Sequence, residues 1–218
     1  MEWKFAPIFE NMPFLLDGLW ITVSVSVLAM VFGSVIGLVI ALIRMSPFGL
    51  LRFLAGFYID VFRTTPLLVQ LVWIFFALPI LTGVALTAYV ASTVALSLYA
   101  SAYLAEIFRA GILSIASGQR QAGLALGMTR SQLLWRIVLP QAITRMLPPI
   151  GSQSITIVKD SALLSLITLA ELFWQAQALG AFTQRVLESL TVVAFMYMAI
   201  TIPLAFLVNH LHKKYLTD

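Results

Sequence analysis

GLWITVSVSVLAMVFGSVIGLVIALI, residues 18–43, runs for 26 residues without a charged side chain. At about 1.5 Å rise per residue, a helix of this length crosses a hydrocarbon core roughly 30 Å thick with some tilt. The rest of the chain has the matching composition. Of its 218 residues, 61% are hydrophobic and 10% charged, and the mean hydropathy of +1.00 lies outside the soluble range. This is the composition of an all-α integral membrane protein. Glu2, Glu10 and Asp17 precede the run in place of a basic n-region, and the run exceeds the length of a signal-peptide core, so it reads as a retained span.

Further spans follow from the same logic. Residues 64–105 carry no charge, and about 42 residues suit two spans joined near Pro79 and Gly83. The apolar helical pattern of residues 51–62 starts the second span near Phe53, with Pro66 as an internal kink. A fourth span fits residues 150–169, interrupted by Lys159 and Asp160, and a fifth fits residues 190–211.

Five transmembrane helices place the termini on opposite sides, and the basic residues set the direction. Arg44 and Arg52 follow span one; Arg109, Arg120, Arg130, Arg136 and Arg145 follow span three; Lys213 and Lys214 follow span five. The other side receives Glu2, Lys4, Glu10 and Asp17, the uncharged turn near Gly83, and a connection with Glu171, Arg185 and Glu188. Positive charge stays with the cytoplasm, which puts the N-terminus outside and the C-terminus in the cytoplasm. Segregation of the net +4 charge by loop also argues against a nucleic-acid partner. No cysteine is present, so disulfide and thiol chemistry are excluded. His210 and His212 beside Lys213 and Lys214 read as a charged stop at the membrane surface, not as a metal site.

Residues 109–149 form a polar, basic segment inside this apolar chain. Gly118 can open a short helix over residues 119–126, and Gly127 can end it in the left-handed conformation. Thr129 and Gln132 have capping-box spacing for a second helix, which would expose Leu133, Leu134, Ile137 and Val138 on one side before Pro140 stops it.

The sequence Gln121-Ala122-Gly123-Leu124-Ala125-Leu126-Gly127, followed after nine residues by Ile137-Val138-Leu139-Pro140, resembles the EAA loop of the membrane subunits of ABC importers. Phe62-Arg63-Thr64-Thr65-Pro66-Leu67-Leu68-Val69-Gln70, the stretch from Tyr103 to Ile112, and Lys159-Asp160-Ser161-Ala162-Leu163 are similar to signatures of the polar amino acid permeases of that superfamily. Gln121 stands where that pattern often has Glu and Gly123 where it has its second Ala, so no carboxylate at position 121 offers a salt bridge. The resemblance implies a single permease domain over residues 1–218 with a MetI-like fold, set in the bacterial inner membrane. It also implies that Gln119, Arg120, Gln121, Ala122, Gly123, Ala125, Leu126 and Gly127 dock an ATPase. Its implied partners are an ATPase pair that binds ATP and Mg, a second permease, identical or paralogous, an extracytoplasmic binding protein and a polar amino acid. No G-x-x-x-x-G-K-[ST] sequence occurs, so the chain has no P-loop with which to hold nucleotide itself and is read as a non-enzymatic subunit without a cofactor of its own.

Charges within spans cost about 2.5–3.5 kcal/mol each on insertion scales, which directs attention to those present. Asp60 and Arg63, spaced i to i+3, read as a local ion pair, and Glu106 and Arg109 repeat that spacing. Lys159 and Asp160 are neighbours that cannot satisfy each other on a helix. With Gln153, Thr156, Ser161 and Glu106 they form the candidate substrate pathway. Two readings stand for the charged pair: it receives the carboxylate and ammonium of an amino acid, or it forms interhelical ion pairs with Asp60 or Glu106. Gly33 and Gly37 have small-x-x-x-small spacing for close helix approach, within the subunit or between subunits. Trp73, Tyr89, Trp174 and Tyr197 read as interface or packing aromatics.

The function expected is import of a polar L-amino acid driven by a separate ATPase. Its competitors are an ATP-independent secondary transporter using Lys159 and Asp160, which would predict an internal repeat not evident here, and a membrane scaffold without transport.

Overall fold

A computed structural model describes residues 3–216 of the chain; Glu2 lies outside the described residues, as does the side chain of Lys214. The short helix α1, Ala6–Glu10, leads through Asn11 into α2, Met12–Arg44, which contains the whole opening apolar run. After α3, Gly49–Thr64, come α4, Leu67–Val72, a π-helical turn at Trp73–Ala77, and α5, Leu78–Thr82. Gly83, at φ +71°, ends this arm in the left-handed conformation that glycine adopts readily. Thr87 then caps α6, Ala88–Leu113, accepting from Val90 N at 3.3 Å.

Pro66 does more than kink a span. The helix axes on its two sides differ by 103°. The proline pushes Thr65 into extended backbone, at φ −89° and ψ 133°. A break of this kind in hydrocarbon strands carbonyl groups, and Gln70 Nε2 takes two of them, Phe62 O at 3.0 Å and Thr65 O at 2.9 Å.

The chain continues as α7, Ser117–Ala125; α8, Arg130–Leu133; a π-helical turn, Leu134–Val138; and α9, Leu139–Asp160. Pro140 therefore does not stop the second helix. It occupies the first turn of α9, where its missing N–H is tolerated, and the wider π turn precedes it. Gln141 Nε2 donates to Ile137 O at 3.0 Å, satisfying a carbonyl next to the proline. The expected fourth helix is shifted relative to residues 150–169, since α9 begins earlier, at Leu139. The α-helix ends at Asp160, tightens into a 3₁₀ segment, Ser161–Ile167, and closes at Thr168, φ 60°. Two helices follow, α10, Leu172–Thr183, and α11, Val186–Leu216.

Among the described residues, three helices are long and apolar enough to cross a membrane: Met12–Arg44, Ala88–Leu113 and Val186–Lys213. The bent pair Gly49–Thr64 and Leu67–Thr82 makes a fourth if it is one broken span. The main core forms where α2, α4, α6, α9 and the 3₁₀ segment meet, around Leu71, Leu96, Leu104, Ile157 and Leu164. A second cluster joins α1, α2, α10 and α11 through Ile8, Leu15, Leu172 and Val193.

The small residues of α2 are used inside this chain. A Cβ at Gly33 would stand 2.9 Å from Ala100 Cβ, and one at Gly37 would stand 2.8 Å from Ser101 O. Dispersion between closely apposed backbones replaces the hydrophobic driving force that lipid does not supply. Val31, Val35 and Leu38 remain exposed on other faces of α2.

Candidate functional site

The nine-residue α7 stands at the end of α6, where the long membrane helices stop. Gln119, Gln121, Ala122, Leu124, Ala125, Leu126 and Gly127 are exposed. Arg120 departs from that face: its Nη2 donates to Ile112 O at 2.7 Å, capping one of the carbonyls left open at the C-terminus of α6. Gly123 also turns inward. A Cβ there would come within 2.6 Å of Leu133 Cδ1 and 3.0 Å of Ile137 Cδ1, so glycine lets α7 lie directly on the following helix.

The turn after α7 is locally determined. Gly127 is left-handed at φ +77°, and a Cβ there would meet no atom within 4 Å, so backbone conformation rather than space selects glycine. Thr129 and Gln132 form the expected capping box, with Thr129 N donating to Gln132 Oε1 at 2.9 Å and Gln132 N to Thr129 Oγ1 at 3.2 Å. The apolar residues beyond it divide. Leu133 and Val138 are buried with Ile115, Ala142 and Met146, whereas Leu134 is exposed along with Trp135. Leu124, Leu126 and Trp135 thus give the exposed surface an apolar component. Leu124 and Trp135 were missed as candidates; their one visible signal is large apolar side chains among polar neighbours.

The charged residues separate into two places. Glu106 and Arg109 pair as expected, with Nη2 to Oε2 at 2.6 Å and Nε to Oε1 and Oε2 at 3.1 and 3.2 Å. Asp60 and Arg63 do not pair. Both are exposed, and Arg63 places its guanidinium 5.2 Å from the Tyr103 ring centroid, a cation–π contact. Arg63, Tyr103, Glu106, Ser114 and Arg145 line one cleft of about 470 Å³. Lys159 lines another of about 370 Å³ with Ala162, Phe173, Leu190 and Tyr197. Among the described residues Lys159 has no carboxylate within ion-pair distance, so neither expected interhelical pair, to Asp60 or to Glu106, is formed.

Along α9 the polar positions face different ways. Lys159 is exposed, Thr156 and Asp160 are half-buried, and Gln153 is buried with Nε2 unpartnered. Ser161 is fully buried and donates to Val158 O at 2.8 Å, which satisfies the last turn of the helix.

Glu171 was assigned by sequence to an outer connection, yet it is 0% exposed. Its carboxylate caps α10, accepting from Phe173 N at 2.9 Å and Trp174 N at 2.8 Å. Tyr197 Oη donates to it at 3.0 Å and Thr22 Oγ1 at 3.4 Å, while Thr22 Oγ1 accepts from Leu172 N at 3.1 Å. One carboxylate therefore joins α2, α10 and α11. The only local signal is an acidic residue directly before an apolar run, as at a helix N-cap.

Known proteins resemble this chain over nearly its whole length. The arginine transport system permease protein ArtQ of Bacillus subtilis (strain 168) is 36% identical over 214 residues, covering 98% of each chain. A crystal structure of an amino acid ABC transporter with histidines superposes with a TM-score of 0.92 at 35% identity, over 98% of this chain and 100% of that one. The inward-facing MetNI methionine ABC transporter shares the all-helical fold with a TM-score of 0.73 at 21% identity, over 93% of this chain and 98% of that one. These likenesses, with a family model matching residues 33–217, place the chain in the family of binding-protein-dependent transport system inner membrane components.

Proposed function

We propose that the chain is the membrane-spanning permease subunit of an ATP-driven importer for a polar amino acid, set in a bacterial inner membrane. The observation that carries this reading is α7: a polar helix beyond the ends of the membrane helices, oriented by the glycine turn and capping box that follow it. Gln119, Gln121, Ala122, Ala125 and Leu126 form its docking face for a separate ATPase. Arg120, Gly123 and Gly127 set that face in position.

In this reading the bent pair α3 to α5 and the polar α9 with its 3₁₀ extension are two crossings, giving five spans with the N-terminus outside. Two such subunits, identical or paralogous, enclose the pathway, two ATPase subunits holding ATP and Mg bind the inner face, and a binding protein delivers substrate outside. Gln153, Thr156, Lys159, Asp160 and Ser161 lie on the segment where α9 gives way to 3₁₀, and Glu106 lies toward the inner end. ATPase closure moves α7 and shifts the helices between outward and inward access.

The test is uptake of labelled amino acids into proteoliposomes holding the chain, its ATPase and its binding protein, with and without internal ATP. ATP-dependent uptake is expected, and Gly127→Asp should leave insertion intact while reducing uptake at least about tenfold, as a helix-exit strain of about 1–2 kcal/mol misdirects docking. Wild-type uptake and ATPase binding by that variant would remove α7 from coupling; uptake without ATP would replace the importer with a secondary transporter.

A further inference from the structure

Arg63 is not needed by Asp60. Its face rests on the Tyr103 ring, which stabilises the cation without using its N–H donors. Across the same cleft Glu106 is tied to Arg109 by two contacts on Oε2 and one on Oε1, so Oε1 retains acceptor capacity. Arg145, also on this wall, is already engaged: its Nη1 donates to Ser114 O at 2.6 Å and to Ser114 Oγ at 3.1 Å. Among the described residues, the cleft of about 470 Å³ thus offers one uncommitted fork of donors and one carboxylate with room for another donor. It shares no lining residue with the cleft at Lys159. It lies along the C-terminal half of α6 and the first half of α9, on the side of the molecule that carries α7.

A donor fork and a spare carboxylate lining one cleft match a small zwitterion. We propose that this cleft is a second amino acid site at the exit side, where Arg63 takes the α-carboxylate and Glu106 the α-ammonium. The inference rests on the importer reading. Its consequence is that amino acid accumulated inside occupies the cleft and slows release of the next molecule.

The test uses the complete transporter in proteoliposomes preloaded with the unlabelled form of the amino acid it transports, with its carboxamide, or with neither. Internal amino acid should lower the initial rate of ATP-driven uptake, and the carboxamide should not. Arg63→Gln should raise the half-inhibitory internal concentration at least about tenfold, the loss expected for one charge-assisted bidentate contact. Equal inhibition by acid and carboxamide, no inhibition by either, or an unchanged half-inhibitory concentration in Arg63→Gln overturns the site. If Arg63→Gln does not assemble, the wild-type comparison of acid with carboxamide decides. Inhibition that follows phosphatidylethanolamine content instead of internal amino acid assigns the cleft to a lipid headgroup and also overturns it. Absence of ATP-driven uptake into unloaded vesicles sinks the importer reading itself, a result distinct from uptake that ignores internal amino acid.

Discussion

Glu171 and Glu106 are both carboxylates among apolar helices, and they are held in opposite ways. Glu171 is fully buried and bound by neutral donors from three helices, two backbone amides and two hydroxyls. Glu106 is partly exposed, and its ion-pair partner among the described residues, Arg109, lies a single turn away on its own helix. The first fastens helices to each other; the second neutralises charge locally and leaves its neighbours free to separate. Tight interhelical fastening and a local, solvent-facing pair thus occur in one chain, at different depths along the same helix bundle.

Replacement tests that contrast directly. Glu171→Ala leaves two amides and the hydroxyls of Tyr197 and Thr22 without their acceptor, and should destabilise the purified protein by about 2–4 kcal/mol, read as a lowered unfolding midpoint in detergent. An unchanged midpoint would mean that Glu171 fastens nothing. Gly37→Val forces α2 away from Ser101 O and should cost about 1–3 kcal/mol in the same measurement, because backbone stands in the way of the new side chain. Glu106→Gln breaks a partly solvated pair and should cost no more than about 1 kcal/mol. If it proved as damaging as Glu171→Ala, the distinction between the two carboxylates would fail.

Local signals carried much of this fold into the sequence. The uncharged run at residues 18–43 lies within one helix, Gly83 and Gly127 take the left-handed conformation, and Thr129 with Gln132 forms its capping box. What was not legible depended on contacts between distant positions or on alternative hydrogen-bond registers. Pro66 announced a distortion, but its 103° size depends on Gln70 reaching back to two carbonyls. Pro140 resembled a stop because its missing N–H counts against an α-helix, whereas the preceding π turn allows the helix to continue. Arg63 had an oppositely charged residue at helical spacing, yet it forms no salt bridge with it and stacks on an aromatic ring from α6. Glu171 looked like a surface acid because its partners Thr22 and Tyr197 are 149 and 26 residues away along the chain.

The Glu171 junction also has a mechanical consequence. It grips α2 at Thr22, leaving 22 residues between that point and Arg44, an arm of about 33 Å at 1.5 Å per residue that packs on α6 through Gly33 and Gly37. With the junction as fulcrum, a tilt of about 6° sweeps the Arg44 tip through about 3.5 Å, a distance comparable to a hydrogen bond. Displacement grows in proportion to distance from the pivot, so a small rotation is magnified at the end where α7 is attached.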